Sequence, residues 1–334
     1  MSQPTSSQRF WTKAWDRLAS VAISTGGLLM IGSLVLIFLL IVSEAIPLFA
    51  APRTGAHGTL PTPGGALLAS ADEYRDDVCV LLPGGTLRVV ALADGRTVKE
   101  LPVPGLEGRT VTAAARSING DMALGLSDGS AVVATVRWQS SFEGATRRVD
   151  LEVKALPRLA LDPVGRALAR IAFSVQESGA SSVAASPAPG VLLYGVVSAE
   201  PGDVPPRDLS AALGGESITA LTFLDNGNSL CVGTASGKIL SIPLENPKAP
   251  GQTETTAVNT DATPVTALET LVGGQTLVAG DARGRVTGLL RVRDRADAEE
   301  RRLKPVKVFD PHSAAITAVG ASGRGKTFVS ADEK

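Results

Sequence analysis

Few residue combinations in this chain have the spacing that chemistry requires. The segment Gly125–Gly129 reads GLSDG, which matches the G-x-S-x-G motif of a hydrolase nucleophile elbow. An elbow needs a strand before the serine and a helix after it, but the residues that follow, AVVATV, are typical of a strand. We therefore interpret the motif as a hairpin turn.

A second candidate is a group of acidic residues around Tyr74, formed by Asp72, Glu73, Asp76 and Asp77. Their spacing differs from that of an EF-hand loop, and no glycine stands where such a loop needs its sharp turn. We predict a solvated acidic loop at this position.

The remaining reactive residues are sparse. The chain has two histidines, His57 and His312, which argues against a histidine-based metal site or catalytic triad. The charged run Arg291–Lys304 mixes both signs and predicts an exposed loop between repeats. There is no G-x-x-x-x-G-K-[ST] motif for ATP. We expect no catalytic, cofactor-binding or metal-ligating residues, no cofactor, and no enzymatic activity.

The overall charge is nearly balanced, with 32 Lys and Arg against 33 Asp and Glu. Nucleic-acid binding needs a basic excess that displaces counterions, so nucleic acid is an unexpected partner. The chain has 35 glycines and 21 prolines, which suits many short strands joined by tight turns.

One long apolar segment lies near the N-terminus. Val21–Val42 contains no charged residue and no proline, and as a helix it would span roughly 33 Å, enough for a bilayer core of about 30 Å. Arg9, Lys13 and Arg17 precede it and Glu44 follows, which predicts a cytoplasmic N-terminus and an exported remainder. A cleaved signal peptide is the alternative, although its apolar region is usually shorter.

The exported part contains a repeated hairpin unit. Each copy reads as a short strand, a turn, a second strand, a tight glycine turn and a third strand. Four copies begin at Val111 (VTAAARSINGDMALGLSDGSAVVATVRW), Ile218 (ITALTFLDNGNSLCVGTASGKILSIPL), Val265 (VTALETLVGGQTLVAGDARGRVTGLLRV) and Ile316 (ITAVGASGRGKTFVSADEK).

The turn glycines of the repeats are Gly85, Gly129, Gly190, Gly237 and Gly284, at intervals of 44, 61, 47 and 47 residues. A period in the forties with three to four strands per copy is typical of WD40-like β-propeller blades. The long interval is attributed to an inserted loop within 174–190, a stretch of small residues. A β-sandwich with coincidental turn spacing is the alternative fold.

The two cysteines occupy the same position in different repeats. Cys79 and Cys231 each lie six residues before a turn glycine. Equivalent strands of distant blades cannot approach within disulfide range, so we predict no bridge and two buried thiols.

The last repeat stops early when it is aligned with its neighbours, because its turn glycine would fall one position after Lys334. We therefore expect an all-β chain with five blades and a started sixth, as in the N-terminal fragment of a longer product. A natural six-blade end with a frayed tail is the alternative. The expected division is a cytoplasmic N-terminus (1–17), a transmembrane helix (18–46), a linker (47–59) and a truncated periplasmic propeller (60–334).

The order of these features resembles one family, the phosphate-specific ABC transporter permeases of PstC type. The likeness lies in the basic N-terminus with Arg17-Leu-Ala, the helix exit Ser43–Phe49 (SEAIPLF), the stretch Asp72–Arg75 (DEYR) and Ala331-Asp-Glu333. In many such permeases a WD40-like periplasmic insertion follows the first transmembrane helix. The residues of the transport pathway have no counterparts here.

That resemblance implies the N-terminal part of an inner-membrane permease subunit for inorganic phosphate import, not competent for transport alone. It also implies four kinds of partner: a second permease subunit, ATPase subunits, a periplasmic phosphate-binding protein and membrane lipid. The alternative function is a membrane-anchored periplasmic propeller that acts as a scaffold or envelope sensor. A membrane-anchored propeller hydrolase is a third hypothesis, and it would draw on Asp72, Asp76 and His312.

Overall fold

The chain forms two compact units, Met1–Thr59 and Leu60–Lys334. The structure, a computed structural model, describes residues 6–49, 65–72, 76–117, 120–144, 146–176, 179–198, 205–244, 252–293 and 301–334.

The first unit is dominated by one helix. Helix α1 covers Ser6–Ala45 and is followed by a 3-10 turn at Ile46–Phe49. The portion Trp15–Ala45 is long and apolar enough to cross a membrane, and none of its most apolar window is buried in the structure. A membrane anchor and a signal sequence near the N-terminus meet these criteria equally well. By length and composition, α1 fits either of these two kinds.

In the described part of the second unit, the strands form six antiparallel sheets and pair mostly in chain order. Blade 1 contains β1 (Leu68–Ala71), β2 (Asp77–Leu81), β3 (Thr86–Ala91) and β4 (Thr97–Pro102). Blade 2 contains β5 (Val111–Arg116), β6 (Met122–Leu126), β7 (Ser130–Glu143), β8 (Thr146–Ala155) and a short β9 (Leu159–Ala160) on β7. Blade 3 contains β10 (Arg170–Val175), β11 (Ser181–Ser186), β12 (Leu193–Val197) and β13 (Arg207–Asp208).

The remaining blades follow the same order. Blade 4 contains β14 (Ile218–Leu224), β15 (Ser229–Thr234), β16 (Lys238–Pro243) and β17 (Glu254–Ala257). Blade 5 contains β18 (Val265–Thr270), β19 (Thr276–Asp281), β20 (Val286–Arg293) and β21 (Arg301–Val308). Blade 6 contains β22 (Ile316–Ala321) and β23 (Phe328–Asp332). Short 3-10 turns cover Ser210–Leu213 and Asp225–Gly227.

Five separate hydrophobic cores join each blade to the next. Leu87 of blade 1 shares a core with Leu124 of blade 2, and Val278 of blade 5 shares one with Ile316 of blade 6. Three further cores lie between blades 2 and 3, 3 and 4, and 4 and 5. A sandwich would instead bury one core between two layers. The fold is therefore an all-β, WD40-like propeller of five complete blades and a two-stranded sixth, and the predicted fold class is confirmed.

The first strand of each blade is the innermost one, since these strands together line a central channel. The first and third strands of a blade run in the same direction, so both end at the same side of the propeller. We call this side the loop face. The opposite side, with the glycine turns between second and third strands, is the turn face.

The inserted loop predicted within 174–190 is wrong. Residues Ser181–Ser186 form β11, and all six are buried. Serine and alanine dominate this strand because it is packed on both sides by neighbouring blades. The extra residues in the long interval belong to the β7–β8 hairpin, whose strands cover Ser130–Glu143 and Thr146–Ala155.

Four of the five predicted turn glycines adopt the left-handed conformation, with φ between +76° and +83° at Gly85, Gly129, Gly237 and Gly284. Gly190 does not, because β11 and β12 are joined by a longer connection from 187 to 192. The predicted hairpin turns are thus confirmed except in blade 3.

Candidate functional site

The G-x-S-x-G segment is a hairpin turn, as predicted. Strand β6 ends at Leu126 and β7 begins at Ser130. The Asp128 carboxylate accepts hydrogen bonds from the backbone N–H of Ser130 at 3.1 Å and from its hydroxyl at 2.5 Å. It also pairs with the Arg109 guanidinium. The aspartate thus holds the turn closed, and the motif has a structural purpose.

The prediction of a solvated acidic loop is wrong for Asp72, whose exposed fraction is 5%. Its Oδ1 accepts the backbone N–H of Asp76 at 2.7 Å and of Asp77 at 3.1 Å. An aspartate that accepts local backbone N–H groups stabilises a turn, which explains its burial. Glu73 and Tyr74 lie outside the described residues.

The structure does not bring together the residues of the hydrolase hypothesis. Asp72 follows β1 at the loop face, whereas His312 precedes β22 at the turn face. His312 Nε2 lies 2.7 Å from Ser330 Oγ, and Nδ1 lies 3.4 Å from the Asp332 carboxylate. This histidine therefore fixes the entry loop of blade 6 to its second strand. His57 lies outside the described residues.

Both cysteines are free and buried, in agreement with the prediction. Cys79 lies in the core between blades 1 and 2, and Cys231 in the core between blades 4 and 5. Burial raises the pKa of each thiol to about 12. In the described part of the chain, no three His, Cys, Asp or Glu side chains form a group that could hold a metal ion.

The charged run Arg291–Lys304 is not simply an exposed loop, because its ends belong to paired strands β20 and β21. The Arg291 side chain is 17% exposed and donates to Asp225 at 2.7 Å and to Glu254 at 3.0 Å. It also donates to Ser241 Oγ at 2.7 Å. All three partners belong to blade 4, so Arg291 clamps blade 5 onto blade 4. Residues 294–300 lie outside the described residues.

The strongest candidate for a binding site is a cavity of about 690 Å³ in the central channel, near the loop face. All six first strands contribute to its wall, mostly through their C-terminal ends. Its volume lies within the usual range for small-molecule sites, about 300–1,000 Å³. Most of the lining is backbone, small side chains and apolar side chains.

Two ionisable side chains occur among the described residues that line this cavity, Arg116 at the end of β5 and Glu269 near the end of β18. Arg116 donates to Ser70 Oγ at 3.0 Å, and Glu269 Oε1 accepts the backbone N–H of Thr270 at 3.2 Å. Burial raises the pKa of Glu269 to about 7, against the opposing effects of Thr270 and Arg116. Among the described residues, each of these two side chains thus has one hydrogen-bond partner.

Neither of these two residues was singled out from the sequence. A signal was present, because both are charged residues near the end of a strand that is otherwise apolar or small. The sequence did not show that blades 2 and 5 place them on one cavity.

A second candidate is the hairpin of β7 and β8. Strand β6 pairs with β7 only as far as Ala134, and from Thr135 to Glu143 strand β7 pairs with β8 alone. At about 3.4 Å per residue, this two-stranded part is roughly 30 Å long and runs toward the loop face. We call residues 135–154 the arm.

The base of the arm is fixed and its tip is exposed. Val136 and Leu151 are buried in the core shared with blade 1, and Lys99 of blade 1 donates to Asp150 at 2.5 Å. Near the tip, Phe142 is 70% exposed. The arm therefore presents an aromatic side chain on a supported hairpin.

Comparisons with known proteins assign this chain to no family. No family model matches the chain, and no curated protein matches it. The propeller domain of Myceliophteria thermophila Cps50 (Swd1) is 13% identical, with a TM-score of 0.49, over 78% of this chain and 76% of that one. BBS1N in complex with ARL6DN is 13% identical, with a TM-score of 0.49, over 80% and 74%. The Mitotic Checkpoint Complex is 10% identical, with a TM-score of 0.49, over 79% and 70%.

The predicted relationship to phosphate permeases is wrong. The predicted transport function and the predicted transporter partners depended on that relationship and are not supported either. No family model and no curated protein matches the chain, permeases included. Two of the segments on which the resemblance rested have structural roles in this fold. Ile46–Phe49 forms a 3-10 turn after helix α1, and the Asp332 carboxylate lies beside the His312 ring. Residues 73–75 lie outside the described residues. Two of the matched structures, those with BBS1N and the Mitotic Checkpoint Complex, are of protein complexes.

Proposed function

We propose that this chain is a membrane-anchored β-propeller scaffold that docks a protein partner through the arm. It is a binding module rather than an enzyme. Helix α1 stays attached as an inner-membrane anchor, with the N-terminus in the cytoplasm and the propeller in the periplasm. The basic residues before the apolar segment and Glu44 after it support this orientation.

The observation that carries the proposal is Phe142. Its side chain is 70% exposed, and aromatic side chains are enriched among the anchor residues of protein interfaces. The ion pair between Lys99 and Asp150 and the buried Val136 hold the base of the arm in place. A preorganised hairpin loses little conformational entropy when a partner binds, which favours affinity.

The fold supports a docking role in a second way. The five cores between blades make a stiff body, and the loop face carries both the arm and the mouth of the channel cavity. Propellers offer broad faces of this kind without needing a catalytic residue.

The test is photocrosslinking in the native membrane. A benzophenone amino acid replaces Phe142 in the full chain, and in a control chain it replaces Val164, which is 72% exposed. Val164 is a matched control because its loop contacts the Gly129 turn, at the opposite face of blade 2. We expect one discrete protein adduct from position 142 and none from position 164.

The same partner should then copurify with the wild-type chain and be lost with Phe142→Ser. A loss of roughly tenfold or more is expected for an aromatic interface anchor. The docking proposal is wrong if position 142 gives only lipid adducts, gives no adduct, or gives the same adducts as position 164.

A further inference from the structure

We propose that the channel cavity binds a small zwitterion, with its carboxylate on Arg116 and its ammonium group on Glu269. The ligand class is a free amino acid or a short peptide with both termini charged. This site is separate from the arm, so it stands or falls independently of the docking proposal.

Arg116 and Glu269 lie on opposite sides of the channel. Arg116 belongs to blade 2 and Glu269 to blade 5, with blades 3 and 4 between them on one side and blades 1 and 6 on the other. Both line the same cavity. They therefore approach it from opposite walls, and a ligand between them meets a cationic wall and an anionic wall.

Both charged groups have spare hydrogen-bonding capacity. A guanidinium has five N–H donors, and the hydrogen bond from Arg116 in the structure goes to the hydroxyl of Ser70. A carboxylate has about four acceptor sites, and Glu269 receives one backbone N–H, from Thr270. Partly buried charges in this condition favour a ligand that supplies the missing partners.

A buried hydroxyl, that of Ser117, lies next to Arg116 in the chain. Its Oγ has no hydrogen-bond partner in the structure, and the residue lines the same cavity. Because this Oγ has almost no accessible surface, the donors that a ligand carboxylate can reach here are the N–H groups of Arg116. This arrangement sets the orientation of the ligand in the channel. Its carboxylate points toward blade 2 and its ammonium group points toward blade 5.

The rest of the wall matches a compact ligand with an apolar part. Phe173, Leu221 and Leu268 contribute apolar side chains, and no other titratable side chain from the described parts of β1, β10, β14 or β22 lines the cavity. A ligand with one net charge would leave either Arg116 or Glu269 unmatched, which lowers its affinity.

The experiment uses the full chain in detergent micelles and measures binding by calorimetry. The probes are leucine and leucyl-leucine as zwitterions, N-acetyl-leucine as the carboxylate alone, and leucinamide as the ammonium alone. We expect at least one zwitterion to bind roughly tenfold or more tightly than either singly charged analogue. The two zwitterions distinguish a free amino acid from a short peptide.

Variants locate the site. Glu269→Gln and Arg116→Gln should each weaken zwitterion binding roughly tenfold or more. The control Arg88→Gln alters an arginine paired with Glu100 on blade 1, away from the cavity, and should bind as the wild type does. Thermal unfolding of each variant checks its fold.

The pH dependence of binding is a further test, and it can be measured on the wild-type chain, in which no substitution could disturb the fold. Only ionised Glu269 can hold an ammonium group, and its pKa is raised to about 7. Affinity for leucine, whose ammonium group stays protonated over this range, should therefore rise about tenfold between pH 6 and pH 8 in the wild type and stay flat in Glu269→Gln. The proposal is overturned if neither zwitterion binds below about 10 mM, if the singly charged analogues bind equally well, or if both cavity variants bind as the wild type does.

Discussion

At the residue scale, the glycines of the tight turns are constrained by their neighbours as well as by their dihedral angles. At Gly284, with φ of +83°, an added Cβ would lie 2.5 Å from Ala314 O and 2.6 Å from His312 O. At Gly108, with φ of +79°, no atom lies within 4 Å of such a Cβ. The two positions share the left-handed backbone and differ only in the space around it.

We predict that Gly284→Ala destabilises the propeller more than Gly108→Ala does. Left-handed backbone costs an alanine about 1–2 kcal/mol at either site. Steric overlap with backbone should add about 1–3 kcal/mol at Gly284 alone. Chemical denaturation of both variants measures the difference. Equal losses of unfolding free energy would show that the contact between blade 5 and the entry loop of blade 6 is not tight.

At the scale of elements, neighbouring blades are joined by cores and by polar clamps. Arg291 of β20 is one such clamp, because it reaches two carboxylates and two hydroxyl groups of blade 4. A buried charge that loses its partner costs more than an exposed one, because water cannot replace the contact.

We predict that Arg291→Met lowers the free energy of unfolding by about 1–3 kcal/mol, since Asp225 and Glu254 lose their shared cation. The control is Arg88→Met. Arg88 pairs at 2.6 Å with Glu100, whose side chain is 48% exposed, so a loss below about 1 kcal/mol is expected. Urea denaturation compares them, and a control loss as large as that of Arg291→Met would contradict the clamp.

A second clamp should make stability depend on pH. The hydrogen bond from Arg285, with Thr263 and Arg283 contributing, holds the pKa of Asp261 well below its usual range. A carboxylate with a lowered pKa in the folded state stabilises the fold at neutral pH. That stabilisation is lost as the pH falls below the unfolded-state value of about 3.9.

We predict that Asp261→Asn lowers the Tm most near pH 7, and that the difference from the wild type shrinks as the pH falls below about 4. Thermal unfolding over this range measures the effect. Asp94→Asn serves as the control, because Asp94 lies 3.7 Å from Arg96 with both side chains more than half exposed. A difference in Tm for Asp261→Asn that does not change with pH would rule out this linkage.

At the scale of the whole molecule, the function depends on whether α1 remains attached to the propeller. Trp15–Ala45 is longer than the apolar region of an ordinary signal peptide, about 7–15 residues. Retention of the helix would confine the arm and the channel cavity to the membrane surface, where partners are met at high effective concentration.

We predict that the mature protein keeps the N-terminal residues of α1 and is extracted from membranes only by detergent. Mass spectrometry of the purified chain measures this directly. In a control with Leu36→Lys and Ile37→Lys, two charges at mid-helix should prevent stable insertion. A mature N-terminus located after Ala45 would show that the helix is a cleaved signal.

The helix and the propeller fold class could be predicted from the sequence because each produces a local or repeating pattern of residue types. An uninterrupted apolar run is sufficient for α1, and alternating strands with glycine turns recur at each blade. Strand β11 was mistaken for a loop, since Ser181–Ser186 has little apolar side chain and its burial comes from neighbouring blades. The assignment to a transporter family was wrong because it rested on four short stretches of sequence, and no family model matches the chain.

The sequence by itself determined the chain's periodic plan: an apolar helix, then a hairpin unit repeated every few tens of residues. The tertiary structure alone decided which distant side chains meet. Asp72 turned inward onto backbone N–H groups, Arg291 reached across to blade 4, and Arg116 and Glu269 came to line one cavity. The physical reason is that such contacts depend on how the blades are arranged around the channel. The sequence of one blade does not indicate which charged residues of another blade will lie beside it.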